Sequence, residues 1–229
     1  MAHWAPHDLN RGRFWAFWAQ HIQRIRYDAP AGAVYRDLAQ LVAGKPHFVI
    51  TTNVDGQFAK AGFPPELCFG PQGDYAKFQC ATPCNDVLHD NREMVQRMLA
   101  HQDEANLLVR EEDIPRCPTC GGYLERNLRR DGTFVEAPWL ALRPAYADFI
   151  QRSTAGRLLL LEFGVGFNTP GIIRWPFERL TANHPQATLV RVNVEDAGVP
   201  EAITARSVGF TEDAARVIRD LLGPIPLQP

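Results

Sequence analysis

Three sets of residues in this chain have the types and spacings that chemistry needs. The first is Cys80-x3-Cys84 with Cys117-x2-Cys120, 32 residues separating the two pairs. Two tight turns that each offer two thiolates deliver the soft tetrahedral donor set that zinc takes. The second pair ends in Gly121 and Gly122, which let backbone amides turn toward the sulfurs. The reading is a structural zinc, with free core thiols as its alternative. A catalytic zinc is disfavoured, because no His or carboxylate replaces a thiolate to leave a coordination position open.

The second set is the stretch FVITTNVDG at 48–56, with the Pro71-Gln72-Gly73 turn that follows. An apolar run opens there into polar residues and a glycine, which in an α/β protein marks the end of a strand and the start of a ligand-facing loop. The third set is GVGFNTPG at 164–171. A glycine-rich turn between a buried strand and a helix lets a nucleotide ribose or phosphate approach the backbone and the free N–H groups of the helix start. The same turn also serves purely structural ends, and it does not match the dinucleotide fingerprint. Cys68 reads as a small buried hydrophobe, and His89 and His101 as surface residues or outer neighbours of the metal site.

These residues need elements to hold them. Trp15, Trp18, Ile22 and Ile25 recur at spacings of three and four, which predicts an amphipathic helix over 11–27 with an aromatic core stripe. A second helix fits 31–43, stopped by Gly44. Strands are expected at 48–51 and 67–69, with a helix over 56–61 between them. From 75 to 136 the cysteine pairs flank a polar, helix-like segment (91–103) and no strand-type alternation persists, so this stretch reads as an inserted module. The α/β pattern then resumes. Helices are expected near 144–152 and 172–181, strands at 157–163, 189–193 and 206–210, and a last helix from Thr211 with Glu212 and Asp213 in its first turn. Apolar strands alternating with helices argue for a parallel sheet covered on both faces.

At 229 residues the chain is long enough for one domain with an insertion. Its 24 Lys and Arg against 26 Asp and Glu leave no basic excess, so nucleic acid is not an expected partner, and neither is a membrane. No leader pattern opens the sequence, and the most apolar run, 158–167, is far shorter than a membrane span. A cytoplasmic protein is expected. Five cysteines, four of them in close pairs, fit a metal in a reducing compartment better than disulfides.

Taken in order, TTNVDG (51–56), Gln72-Gly73-Asp74, the four cysteines, GVGFNTP (164–170) and LVRVN ending at Asn193 resemble the sirtuin family. That resemblance implies a Rossmann-like NAD-binding domain from residues 1–74 and 137–229, with a zinc-ribbon module at 75–136. More narrowly, the N-V-D-G, Q-G-D-Y, C-P-x-C-G-G and G-V-G-F-N-T-P-G-I-I-R strings are similar to those of the macrodomain-linked, or class M, sirtuins. The activity implied is NAD-dependent protein ADP-ribosyl transfer, NAD being consumed as substrate. The implied acceptor is a lipoyl carrier protein, with a macrodomain hydrolase as the reversing partner.

Position by position, the resemblance places Asn53 at the nicotinamide ribose and Asp55 at the nicotinamide carboxamide, with Thr52 beside them where the family usually has glutamine. Gly164, Val165, Gly166 and Asn168 would meet the ribose and phosphates of the adenosine side, and Asn193 the adenosine. Gln72 takes the place of the family's catalytic histidine. Deacylation, as the resemblance describes it, needs a base at that point, and a carboxamide has no useful pKa. It can still fix a ribose by hydrogen bonds, which tilts the expectation from a deacylase toward a transferase. The alternative for Gln72 is a plain turn residue. The family's first strand, with its G-A-G-x-S turn, has no counterpart in residues 1–10. The sequence as given is therefore expected to lack that first βα unit and to bind NAD weakly, which leaves a non-catalytic, zinc-stabilised binding module as a further reading.

Overall fold

A computed structural model describes residues 11–103, 105 and 107–223. The expectation about residues 1–10 lies outside the described residues. Helix α1 (Arg11–Ile22) runs into a π-helical turn (Gln23–Asp28), and α2 (Ala33–Val42) follows. Then come β1 (Val49–Ile50), α3 (Gln57–Lys60), β2 (Cys68–Phe69), β3 (Gly73–Cys80), β4 (His89–Asp90) and α4 (Arg92–Ala100). The chain continues through β5 (Leu124–Leu128), α5 (Ala137–Leu140), α6 (Arg143–Ser153), β6 (Leu158–Phe163) and α7 (Arg174–Asn183). It closes with β7 (Ala187–Val192), β8 (Ser207–Phe210) and α8 (Ala214–Leu222).

By packing, the chain divides into two units. The first takes the residues up to Pro30, Asn53–Lys60 and Gly70–Ala141. The second takes Ala31–Thr52, Ala61–Phe69 and the chain from Leu142 onward.

In the first unit the aromatic stripe of α1 is core, as its spacing predicts. Phe14, Trp15, Ala19 and Ile22 are buried with Phe78 of β3, Val95 and Met98 of α4, and Leu124 of β5. Trp18 and Ile25 pack against them partly buried. The Trp15 and Phe78 rings meet edge-on, 5.0 Å between centroids. Truncating an aromatic anchor of this kind to Ala costs about 3–5 kcal/mol.

The 75–136 stretch, whose sequence shows no strand-type alternation, nevertheless contains strands. An antiparallel sheet of order β4-β3-β5 spans that stretch. β3 is buried on both sides, so its sequence does not alternate. Its polar Gln79 is 2% exposed and sits in an amide network. There Asn127 Nδ2 donates to Gln79 Oε1 at 2.6 Å, and the Val135 N–H donates to the same oxygen at 2.9 Å.

The second unit carries the parallel pairing that the α/β pattern predicts. β1 pairs with β2, and β6, β7 and β8 form a parallel sheet in that order. Leu158, Leu160, Ala187, Leu189 and Ile203 make its core, with Ile150, Phe177 and Leu180 packed against them. Cover on both faces is not what β6–β8 have among the described residues: Leu159 is 56% exposed, and Val208 and Phe210 are 41% each. Asp213 is the N-cap of α8 rather than a first-turn residue, its carboxylate accepting the Arg216 N–H at 3.1 Å. Among the described residues no helix is long and apolar enough to cross a membrane.

Candidate functional site

The sulfurs of Cys80, Cys84, Cys117 and Cys120 all lie within 4.8 Å of one another. Cys80 ends β3, and Cys117 and Cys120 bracket a tight turn ahead of β5, so the strand pairing itself brings the two cysteine pairs together. The Cys117 N–H donates to the Gly122 carbonyl at 2.7 Å and the Gly121 N–H to the Cys117 carbonyl at 2.9 Å. Gly121, at φ +72°, makes that turn possible. Asn85 Nδ2 donates to Thr119 Oγ1 at 2.9 Å and ties one pair's loop to the other's. Backbone N–H groups aimed at the Cys117 sulfur hold its thiol down to about 6, while desolvation and the neighbouring sulfurs push Cys84 up to about 12. The cluster is a set of donors that could hold a metal. Cys68, in the second unit, is half-buried, its thiol pushed up to about 11 by desolvation, and so is not an activated nucleophile.

Also in the first unit, the loop that starts at Asn53 is fastened to the turn that carries Gln72. The Tyr75 N–H donates to the Val54 carbonyl at 2.9 Å. Asp55 Oδ1 accepts the Gln57 N–H at 3.0 Å and so caps the short α3. Arg26, on the π-helical turn, makes a two-pronged pair with Asp74, Nε to Oδ1 at 2.7 Å and Nη2 to Oδ2 at 3.2 Å. Burial alone would lower the Arg26 pKa, and the Asp74 pairing outweighs it and raises it. The Gln72 turn is held as well by the residue that follows β5. The Arg129 N–H donates to the Gln72 carbonyl and Arg129 Nε to the Pro71 carbonyl, both at 3.0 Å. Asn53 is exposed, and Asp55 and Gln72 are half-buried. His21 Nε2 lies 3.2 Å from the Tyr75 hydroxyl, and desolvation, with Arg126 nearby, holds the His21 pKa down.

In the second unit, Thr52 follows the β1–β2 ladder, which ends with the Thr51 N–H donating to the Phe69 carbonyl at 3.0 Å. The glycine-rich loop leaves β6 with the Gly164 N–H donating to the Val192 carbonyl at 2.9 Å. Asn193 Nδ2 donates to the Val165 carbonyl at 3.1 Å, and its Oδ1 accepts the N–H groups of Glu195 and Asp196. Arg174, at the start of α7, reaches the Val165 carbonyl at 3.3 Å and Asp196 Oδ2 at 3.1 Å. Gly164, Val165 and Asn193 are thus brought together, while Asn168 lies in the exposed 167–169 segment.

Arg26, Arg129 and Arg174, which fasten these loops, were not singled out from the sequence. Nothing in the spacing of Arg26 or Arg129 distinguishes them from other cations, and Arg174 closes the G-V-G-F-N-T-P-G-I-I-R string without a role of its own being assigned.

No protein-family profile matches the chain. It is 32% identical over 211 residues to a "Protein ADP-ribosyltransferase" of Staphylococcus aureus, covering 91% of this chain and 66% of that protein. It is 35% identical over 164 residues to a "Probable bifunctional ADP-ribose hydrolase/ADP-ribosyltransferase" of Fusarium oxysporum f. sp. cubense, covering 69% of this chain and 27% of that one. The chain therefore spans less than two thirds of the length of these two relatives. Among solved structures, "Sir2 bound to acetylated peptide" superposes with a TM-score of 0.62 at 19% identity, over 91% of this chain and 76% of that one. A Sir2 homologue in complex with NAD superposes with a TM-score of 0.60 at 16% identity, over 91% and 69%. The chain has the sirtuin fold, carries a four-cysteine cluster within it, and is similar in sequence to proteins named as ADP-ribosyltransferases.

Proposed function

We propose that the chain is an NAD-dependent protein ADP-ribosyltransferase of the class M sirtuin type, with a lipoylated carrier protein as acceptor. The observation that carries this reading is the 32% identity over 211 residues to the staphylococcal ADP-ribosyltransferase. A carboxamide at Gln72 agrees with it. In the transfer, the bond from C1′ of the ribose to the nicotinamide nitrogen breaks and its electron pair leaves with nicotinamide. A nucleophilic atom of the acceptor bonds to C1′, and its proton passes to solvent. These steps call for positioning and electrostatic support rather than a strong base. Asn53 and Gln72 would orient the nicotinamide ribose and Asp55 the nicotinamide, with Thr52 a further cofactor-binding residue. Gly164, Val165, Gly166, Asn168 and Asn193 would receive the adenosine side.

Cys80, Cys84, Cys117 and Cys120 would hold a structural zinc. Four thiolates about 2.3 Å from a zinc ion stand about 3.8 Å apart. The Cys80–Cys120 and Cys84–Cys117 sulfur separations of 3.6 and 3.7 Å fit that set.

The second reading, an NAD-dependent protein deacylase, is favoured by the fold shared with a Sir2 solved with an acetylated peptide. Intact-mass spectrometry separates the two. The protein is incubated with NAD and either a lipoylated carrier domain or an acyl-lysine peptide. We expect one ADP-ribosyl group to be added to the carrier, and Gln72→Ala to slow that addition about 10²-fold, the usual effect of losing one stabilising hydrogen-bond group. Loss of the acyl group from the peptide, with an unmodified carrier, would replace transferase with deacylase. NAD left intact with either partner would favour a binding module.

A further inference from the structure

The two motif segments of the first unit, 53–56 and 71–74, are not neighbours in sequence, and one side chain touches both. Arg26 pairs with Asp74 through two hydrogen bonds, at 2.7 and 3.2 Å, in a partly sheltered position where the two side chains are 18% and 20% exposed. Such a fork fixes orientation as well as distance. On its other side the guanidinium lies against Gly56. A Cβ built on Gly56 would fall 2.6 Å from Arg26 Nε and 2.7 Å from Nη1, so a side chain there would displace the guanidinium from its place beside Asp74. Gly56 also has φ +71°, a second reason for glycine.

Asp74 closes the arrangement. Its Oδ1 also accepts the Ala76 N–H at 2.6 Å, which shapes the start of β3 just after Gln72. Asp55 lies close enough to Arg26 to raise its pKa further, after the direct Asp74 pairing. Arg26 sits on the π-helical turn that extends α1. A wider helical turn of this kind re-aims side chains and recurs at functional sites. Lys60 Nζ from α3 donates to the Ile25 and Ala29 carbonyls on either side of the arginine, and Gln57 Nε2 donates to the Pro30 carbonyl at 3.2 Å. The turn and the loop are therefore fastened in both directions.

We propose that Arg26 is a positioning residue, and that its pairing with Asp74 across Gly56 locks the Asn53–Asp55 loop and the Gln72 turn into one frame. The proposal rests on the functional reading above in taking those segments as the reacting side of the site. Placement errors of about 1 Å in such groups cost about 10²-fold in turnover without comparable loss of binding.

The test has an arm that does not depend on activity. Hydrogen exchange of the zinc-loaded protein is compared for wild type, Arg26→Gln and Arg26→Lys. We expect amides in both 53–57 and 71–76 to exchange about tenfold or more faster in Arg26→Gln, with 117–122 unchanged and Arg26→Lys intermediate, since lysine keeps the charge and loses the fork. Exchange that rises in one segment only, or in neither, overturns the proposal. Where transfer is measurable, Arg26→Gln should lower kcat far more than it raises KM for NAD. Gly56→Ala should cost less in an Arg26→Ala background than in wild type, because the clash with the guanidinium is gone. Strictly additive effects would mean that the arginine is not what Gly56 accommodates. If the protein transfers nothing while the exchange pattern holds, the functional reading fails and the frame stands.

Discussion

At Gly73 two constraints, backbone angle and backbone contact, exclude a side chain. At φ +98° it is left-handed, and a Cβ there would stand 2.9 Å from the carbonyl carbon of Asn127 and closer still to its oxygen. The obstacle is β5 backbone, held in register by the β3 pairing, so it cannot step aside as a flexible side chain would. Gly73→Ala should therefore destabilise the protein by about 2–4 kcal/mol, the sum expected for backbone strain and a steric shift at one site. A urea midpoint within error of wild type would show that the turn relaxes. At this scale the sequence was informative about positions and silent about partners. The cysteine spacing indicated which thiols meet, and the Gln72-Gly73 turn stood out by composition. That Arg26 fills the space beside Gly56, or that Arg129 grips the Gln72 turn, depends on contacts between residues tens of positions apart, and no local pattern encodes them.

Elements were legible where burial is one-sided or continuous. The spacing of Trp15, Trp18 and Ile22 gave α1, and the run Leu158–Leu161 gave β6. β3 and β5 were missed because they are buried on both faces and carry polar residues inside, such as Gln79 and Asn127. A hydrogen-bonded amide in a core reads as a loop residue until its partner is known. The same blindness hid the ion pair between β6 and β7. Arg191, with a side chain 0% exposed, forks onto Glu162 at 2.6 and 3.2 Å and reaches Glu178 at 2.9 Å. Replacing the arginine alone leaves the Glu162 carboxylate buried without its cation. Arg191→Met should cost about 3–5 kcal/mol, whereas Arg191→Met with Glu162→Leu should recover much of that, since two apolar side chains need no partner. Denaturant unfolding of the three proteins measures it, and a double variant no more stable than the single one would count against the pairing.

At the scale of the whole molecule, each unit has its own buried cluster, one around Trp15, Phe78 and Met98 and one around Leu160, Leu189 and Ile203. The four cysteines belong to the first. They join the end of β3 to the turn ahead of β5, which makes them a clasp on the antiparallel sheet on which α1 and α4 depend for burial. Binding of a metal only by the folded form stabilises that form by mass action, and for structural zinc sites the coupling to folding is large. If the four thiols hold zinc as proposed, a chelator strong enough to remove it should therefore act unevenly. We expect amide protection to fall first and most in β3, β5, α4 and α1, with β6 and β7 keeping theirs over the same interval. Re-addition of zinc should restore the first set. Cys84→Ala, which removes an exposed thiol of the cluster without opening a core cavity, should reproduce the pattern without any chelator. Protection lost to the same degree along both clusters would mean that the clasp stabilises the molecule as a single cooperative body, and protection unchanged everywhere would mean that the thiols hold no stabilising ion.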